Sequence, residues 1–183
     1  MVTKRNIWYD YGKNFEVNQL IREMRHEDIQ AVQLIAKLSW QDTYEGIIPS
    51  EIQDLFLEKA YSNAMMMKRL EKTSVYVAVN EEKVVGFANF TRIDEDGDVE
   101  LTAIYMHPDY QQLGYGKRLL EIGLEHIQKA QQLFVYVESE NSKGCSFYER
   151  NGFTYLEKFD EFFEGHPLST TKYVYYIKTP VNN

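Results

Sequence analysis

Apolar positions change period along this chain, and the changes divide it into elements. Met1 to about Glu16 has no period and reads as an extension, either packed on the domain or free. Val17–Met24 reads as a short strand. From His26-Glu27-Asp28 onward, Ile29, Val32, Leu34, Ile35 and Leu38 recur at helical spacing. Pro49-Ser50-Glu51 opens a second helix, because proline suits the first turn, and Tyr61–Glu71 reads as a third. The character then turns β-rich. Ser74–Val79 and Val84–Arg92, joined by the polar link Asn80–Lys83, predict a hairpin. After an acidic turn at Asp94–Asp98, Val99–Met106 reads as another strand, ended by His107-Pro108. Gly114–Ala130 predicts a helix carrying Tyr115, Leu119, Ile122, His126 and Ile127 on one face. Leu133–Val137 is a short buried strand. Asn141–Asn151 is a helix stopped at Asn151-Gly152, and Phe153–Phe159 and Lys172–Ile177 close the list of strands. This order implies an α/β (α+β) fold, with helices on both sides of a mixed sheet.

No Pro/Gly/Ser-rich linker and no repeat interrupts the chain, so residues 17–183 read as one domain. The chain has 183 residues, 44% of them hydrophobic and 14% aromatic, which supports a substantial core and excludes disorder. Twenty basic against 28 acidic residues leave a net charge of −8, which argues against nucleic acid and leaves room for a cationic partner. One cysteine excludes an internal disulfide and a Cys-rich metal site, and the four histidines lack ligand spacing, so no metal is expected. No apolar run nears the roughly 20 residues of a spanning helix, and no secretory h-region is seen. The expected setting is therefore the cytoplasm, away from membranes.

The segment Leu101–Leu120 concentrates the chemistry. It reads as strand, Pro-containing turn, glycine-bearing loop and helix. Such a loop delivers unpaired N–H groups at the positive end of a helix dipole, an arrangement that suits phosphate. Gly114 and Gly116 permit a tight turn and a close ligand. The same pattern also serves as a plain turn. Lys117 does not follow Walker spacing, and residues 114–119 lack the third glycine of a dinucleotide fingerprint, so ATP and NAD fit poorly.

The run Gln111-Gln112-Leu113-Gly114-Tyr115-Gly116, preceded by Tyr105-Met106-His107-Pro108, resembles the Q/R-x-x-G-x-G/A signature of the GNAT superfamily of acetyl-CoA-dependent N-acetyltransferases. A second stretch, from Asn141 through Phe147-Tyr148 to Gly152-Phe153, is similar to that family's N-xx-A-xx-FYxxxGF segment, with Gly144 in place of the common alanine. The resemblance covers about Val17 to Ile177 and is most specific in the second half. It implies a mostly antiparallel sheet with a V-shaped splay between two central strands. It also implies acetyl-CoA as co-substrate, its pyrophosphate on Gln111, Gln112, Leu113, Gly114, Tyr115, Gly116 and Lys117. The pantetheine arm would run along Ile104, Tyr105 and Met106 and touch Asn141.

By the same resemblance Tyr148 lies near the sulfur and protonates the leaving thiolate, and Glu100 is the candidate general base, with Glu45 and Asp42 behind it. Packing of Tyr148 on the sheet, helix capping by Asn141 and a solvated Glu100 are the purely structural alternatives. Trp40, Tyr44 and Glu45 are the candidate acceptor-side residues. Direct attack by a primary amine is expected, with a polyamine or other small cationic amine as first choice. A protein or peptide N-terminus, or a non-catalytic acyl-CoA sensor of the same fold, are the other readings. Cys145 shares no local motif with a histidine and is set aside as a nucleophile. The Lys172–Ile177 strand either pairs across a homodimer or lies inside the sheet.

Overall fold

The computed structural model describes residues 20–177; the expected extension over residues 1–16 lies outside them. The chain runs β1 (Leu20–Glu23), α1 (Ile29–Tyr44), α2 (Ser50–Ala60), α3 (Asn63–Lys72), β2 (Ser74–Asn80), β3 (Lys83–Phe90), β4 (Asp98–Met106), α4 (Tyr115–His126), β5 (Gln132–Glu138), α5 (Ser142–Arg150), β6 (Thr154–Phe163) and β7 (His166–Tyr176). Seven strands form one sheet in the order β1-β2-β3-β4-β5-β7-β6. Every neighbouring pair is antiparallel except β4 with β5. α4 and α5 pack on one face through Tyr115, Leu119, Leu120 and Tyr148. α1 to α3 cover the other face through Val32, Ile35, Trp40, Leu57 and Met66.

Four sequence expectations are corrected. Leu34 is 56% exposed, so the α1 stripe runs through Ile29, Val32, Ile35, Ala36 and Trp40 instead. The helix expected to reach Ala130 ends at His126 and is followed by a turn, with the Ala130 N–H donating to Ile127 O. β6 is longer than expected. β7 starts at His166 rather than Lys172, after a turn in which Glu164 and Gly165 both have positive φ, 48° and 82°. That is the backbone a two-residue hairpin requires, but Pro167 and Ser169-Thr170-Thr171 carry little apolar signal. β7 also lies between β5 and β6, so its edge is filled within the chain and is not free to pair across a dimer.

One irregularity positions the site. Asn89 pairs with Ala103 and Phe90 with Leu101, so Thr102 is an extra residue on β4. This bulge reverses the pleat. Val99 and Leu101 face the α4 side, whereas Ala103 and Tyr105 pack toward α1. Simple alternation would put Glu100 with Thr102 and Ile104; the bulge puts it on the face of Ala103 and Tyr105.

Candidate active site

β4 and β5 pair only through Asp98–Gln132, Val99–Leu133 and Glu100–Phe134. Past Glu100 they part, and β4 keeps hydrogen bonding to β3 alone, as far as Met106 opposite Gly86. Backbone groups on the β5 side of residues 101–106 therefore have no strand partner. The gap is the floor of a cleft of about 790 Å³ lined by both strands, by the 111–117 loop and by α5. The bulge re-aims side chains at the mouth of this gap.

The loop begins at the 3-10 turn Pro108–Tyr110, where the His107 ring accepts the Asp109 N–H at 3.3 Å. Gln112 and Gly114 both adopt positive φ, 61° and 87°, and α4 starts at Tyr115. The first N–H groups of any helix lack intrahelical acceptors, so here they open toward the cleft. A Cβ on Gly114 would meet no atom within 4 Å, so backbone conformation, not packing, requires glycine there. Gly116 lies beside the Phe147 ring with room for ordinary contact. Gln111, Gln112, Gly114, Gly116 and Lys117 line the cleft. Tyr115 is buried in the core and Leu113 points outward, 56% exposed.

On the opposite wall Asn141 caps α5, its Oδ1 accepting the Gly144 N–H at 2.9 Å. An alanine Cβ at position 144 would come within 2.7 Å of Asn141 Nδ2, so the departure from the family pattern makes room for this cap. Tyr148 is 6% exposed and lines the cleft together with Tyr44, Tyr105 and Phe147. Burial, and then the neighbouring Tyr105, Tyr44 and Cys145, push the Tyr148 phenol well above its usual range. Tyr44 is pushed up by burial and by Tyr105, with the Asn141 amide pulling the other way. The three phenols thus keep their protons at neutral pH and form a half-apolar, hydrogen-bond-donating notch.

The charged residues lining the cleft are Lys117, Lys143 and Arg150, all cationic. The sequence reading missed Lys143 and Arg150. In sequence both are ordinary polar positions of the helix that carries Tyr148, and only the tertiary placement brings them to the cleft. Gln111 Nε2 donates to Asp42 Oδ2 at 3.1 Å, and Lys143 Nζ lies 3.9 Å from the same oxygen, tying the α1 C-terminal turn to both walls.

The other candidates stand apart from this cleft. Glu100 occupies its vertex without lining it; burial raises the carboxyl, and Lys172, stacked 4.4 Å from the Phe134 ring centre, draws it partly back. Trp40 is buried in a stack with Tyr44, Phe56 and Phe163, at centroid distances of 4.7, 4.4 and 5.9 Å. Glu45 faces a separate depression of about 670 Å³ between α1 and α2, which Asp42 and Asp54 also line. Among the described residues no group of three or more His, Cys, Asp or Glu is arranged to hold a metal, and no helix is long and apolar enough to cross a membrane.

Comparison with known proteins gives this cleft a context. Residues 71–155 match the family model described as an acetyltransferase (GNAT) domain. The spermidine N(1)-acetyltransferase of Thermoplasma acidophilum is 29% identical over 142 residues, which span 73% of this chain and 86% of that protein. YuaI, an uncharacterized N-acetyltransferase of Bacillus subtilis, is 33% identical over 127 residues, 66% of this chain and 72% of that one. The crystal structure of the PaiA N-acetyltransferase from Thermoplasma acidophilum in complex with coenzyme A superposes with a TM-score of 0.73 at 25% identity, covering 86% of this chain and 99% of that chain. The seven-stranded sheet flanked by helices is thus a fold shared with GNAT structures, and the chain belongs to the GNAT acetyltransferases.

Proposed function

We propose that this acetyltransferase binds acetyl-CoA in the cleft between β4 and β5 and transfers the acetyl group directly to the primary amine of a small cationic acceptor. The observation that carries the reading is the parting of the two strands after Glu100, with the phosphate-type loop at one end of the gap and Tyr148 in its wall.

Each wall has a task that its chemistry suits. Loop N–H groups of residues 111–117 and the positive end of α4 favour a pyrophosphate, and Lys117, Lys143 and Arg150 add cationic charge along the rim. The unpaired β4 edge at Ile104, Tyr105 and Met106 offers backbone donors and acceptors to the amides of a pantetheine arm, which would join as an extra strand. Asn141 completes that wall. In the reaction the neutral amine nitrogen attacks the thioester carbonyl carbon, the C–S bond breaks, and the thiolate receives a proton. Tyr148, which stands in the wall of the gap, donates it and recovers one from solvent. The proton lost by the amine passes to Glu100 through solvent at the vertex, where burial strengthens the carboxylate as a base.

Support for a cationic acceptor comes from two sides. A relative covering most of this chain is a spermidine acetyltransferase. The α1–α2 depression gathers Asp42, Glu45 and Asp54. The test is release of free thiol from acetyl-CoA with a panel of spermidine, alkyl monoamines, amino acids and peptides with a free N-terminus. Turnover with spermidine above the rest supports the reading. Turnover confined to peptides would move the acceptor to a protein N-terminus. Tight acetyl-CoA binding without turnover on any amine would favour a sensor.

A further inference from the structure

Glu138 is the last residue of β5, only 8% exposed, and has no part in the chemistry just described. Its Oε2 accepts two main-chain bonds, from the Glu140 N–H at 2.8 Å and the Asn141 N–H at 3.0 Å. The Asn141 N–H is also within 3.1 Å of the Glu138 carbonyl oxygen. One carboxylate therefore folds the β5–α5 turn back on itself and sets where Asn141 starts.

Asn141 is held from three directions. Glu138 fixes its main chain. Its Oδ1 is committed to the Gly144 N–H, and Gly144 lacks the Cβ that would strike its Nδ2 at 2.7 Å. Its amide also acts on the Tyr44 phenol across the cleft. Burial is the main cause that raises the Glu138 carboxyl, with the nearby Glu140 adding to it and the two N–H bonds offsetting part. A buried side chain with one carboxylate oxygen bonded twice into the turn has a positioning job rather than a surface one.

We infer that Glu138 is a positioning residue of the cofactor cleft, acting through Asn141: it presets the turn so that the Asn141 amide is already aimed along the gap when acetyl-CoA arrives. The inference rests on the proposed placement of acetyl-CoA between β4 and β5. Without the carboxylate the Glu140 N–H loses its acceptor and the Asn141 N–H keeps only the Glu138 carbonyl oxygen, so the turn relaxes, the ligand must order Asn141 itself, and binding weakens by that cost.

A double-mutant cycle on the full chain tests it, reading the dissociation constant for acetyl-CoA by calorimetry and steady-state constants with the best amine. Glu138→Ala is expected to weaken acetyl-CoA binding about tenfold, equivalent to about 1.4 kcal/mol. It is expected to leave the acceptor KM and the saturated kcat within about threefold, whereas simple loss of folded protein would lower kcat and leave affinity intact. Glu138→Gln retains a carbonyl oxygen able to accept both bonds and is expected to restore most of the affinity. In an Asn141→Ala background the Glu138→Ala change should add little. Additive losses, an effect on kcat alone, or no rescue by glutamine would overturn the inference. An unchanged affinity in Asn141→Ala alone would overturn the placement of Asn141 on the cofactor and the inference with it. Loss of affinity in Asn141→Ala with none in Glu138→Ala would overturn only the role of Glu138. Should Glu138→Ala not fold, Glu138→Leu, which keeps a side chain of similar bulk but has no acceptor, carries the same comparison.

Discussion

Glu100 on β4 stands opposite Phe134 on β5, and theirs is the last pairing between these two parallel strands. Two residues further along β4, the Thr102 bulge turns the pleat over. The vertex of the cleft and the reversal of side-chain direction thus lie within one short stretch. Glu100 ends on the α1 side of the sheet, while Ile104 and Met106 pack toward α4. In the proposed mechanism the base and the cofactor track would thus approach the reacting atoms from different sides of the opened edge.

Tyr148→Phe keeps the ring that packs on Phe147, Phe153 and Tyr173 and removes only the hydroxyl. Stability should change little. If the phenol protonates the thiolate, kcat should fall by roughly 10²–10⁴-fold, the range for acid–base catalysis, with acetyl-CoA affinity nearly unchanged. Single-turnover kinetics make the measurement, and a normal chemical step would remove Tyr148 from the mechanism.

Gly114→Val places a branched side chain at φ 87° in open space beside the loop. The strain should cost about 1–3 kcal/mol of stability, visible as a lowered Tm. Under the proposed placement of the pyrophosphate on this loop, acetyl-CoA binding should fall far more than that strain explains, because the side chain would stand in its path. Gly165→Val is the matched control. It has a similar φ, 82°, and equally open surroundings, but sits at the β6–β7 turn away from the loop. It should lose comparable stability and keep its affinity.

For a polyamine acceptor, apparent KM should rise with salt, since exposed charge pairs are screened over about 8 Å at physiological ionic strength. Neutral-tailed monoamines of similar length should be poorer substrates. Glu45→Gln, or Asp54→Asn in the same depression, should narrow that difference without weakening acetyl-CoA. Equal, salt-independent KM values for both amines would count against a cationic acceptor and leave the acetyltransferase assignment in place.

Acid stability should depend on Asp28. Burial acts to raise its carboxyl, but two hydrogen bonds from Arg22, at 2.6 and 2.9 Å, and one from the Arg25 N–H at 2.7 Å outweigh it, and the carboxyl ends below its usual range. A carboxyl depressed in the folded state stabilises above the unfolded pKa, and that stability is lost as pH falls through the folded value. Asp28→Ala should cost about 1.5–3 kcal/mol at neutral pH, the scale of hydrogen bonds to a charged group. It should also flatten the acid limb of a denaturation curve. An unchanged acid limb would assign the acid sensitivity to other carboxyls.

Much of this protein is readable from local pattern alone. The β-rich runs at Ser74–Asn80 and Lys83–Phe90, the helix after Gly114 and the Asn141-to-Phe153 segment are set by side chains close together in sequence, and the structure keeps them nearly where expected. The glycine loop was equally legible, because positive φ at Gly114 is a property of one residue. What sequence could not decide depends on partners distant in the chain. The Thr102 bulge arises from registering β4 against β3, and the cleft arises because β5 pairs with β4 for three residues only. The β6–β7 hairpin has a mostly exposed first strand and a Ser/Thr-rich second, so it lacks the alternation that marks a half-buried strand. β7 is held by pairing to β5 and by its buried Tyr173 and Val174, and the mostly exposed β6 is held by pairing to β7. Lys143, Arg150 and Glu138 look like ordinary polar positions in sequence. They join the site only because α5 and the end of β5 are brought against a loop some thirty residues away. Short-range periodicity records which face a residue turns inward; it carries no record of which other element will be standing there.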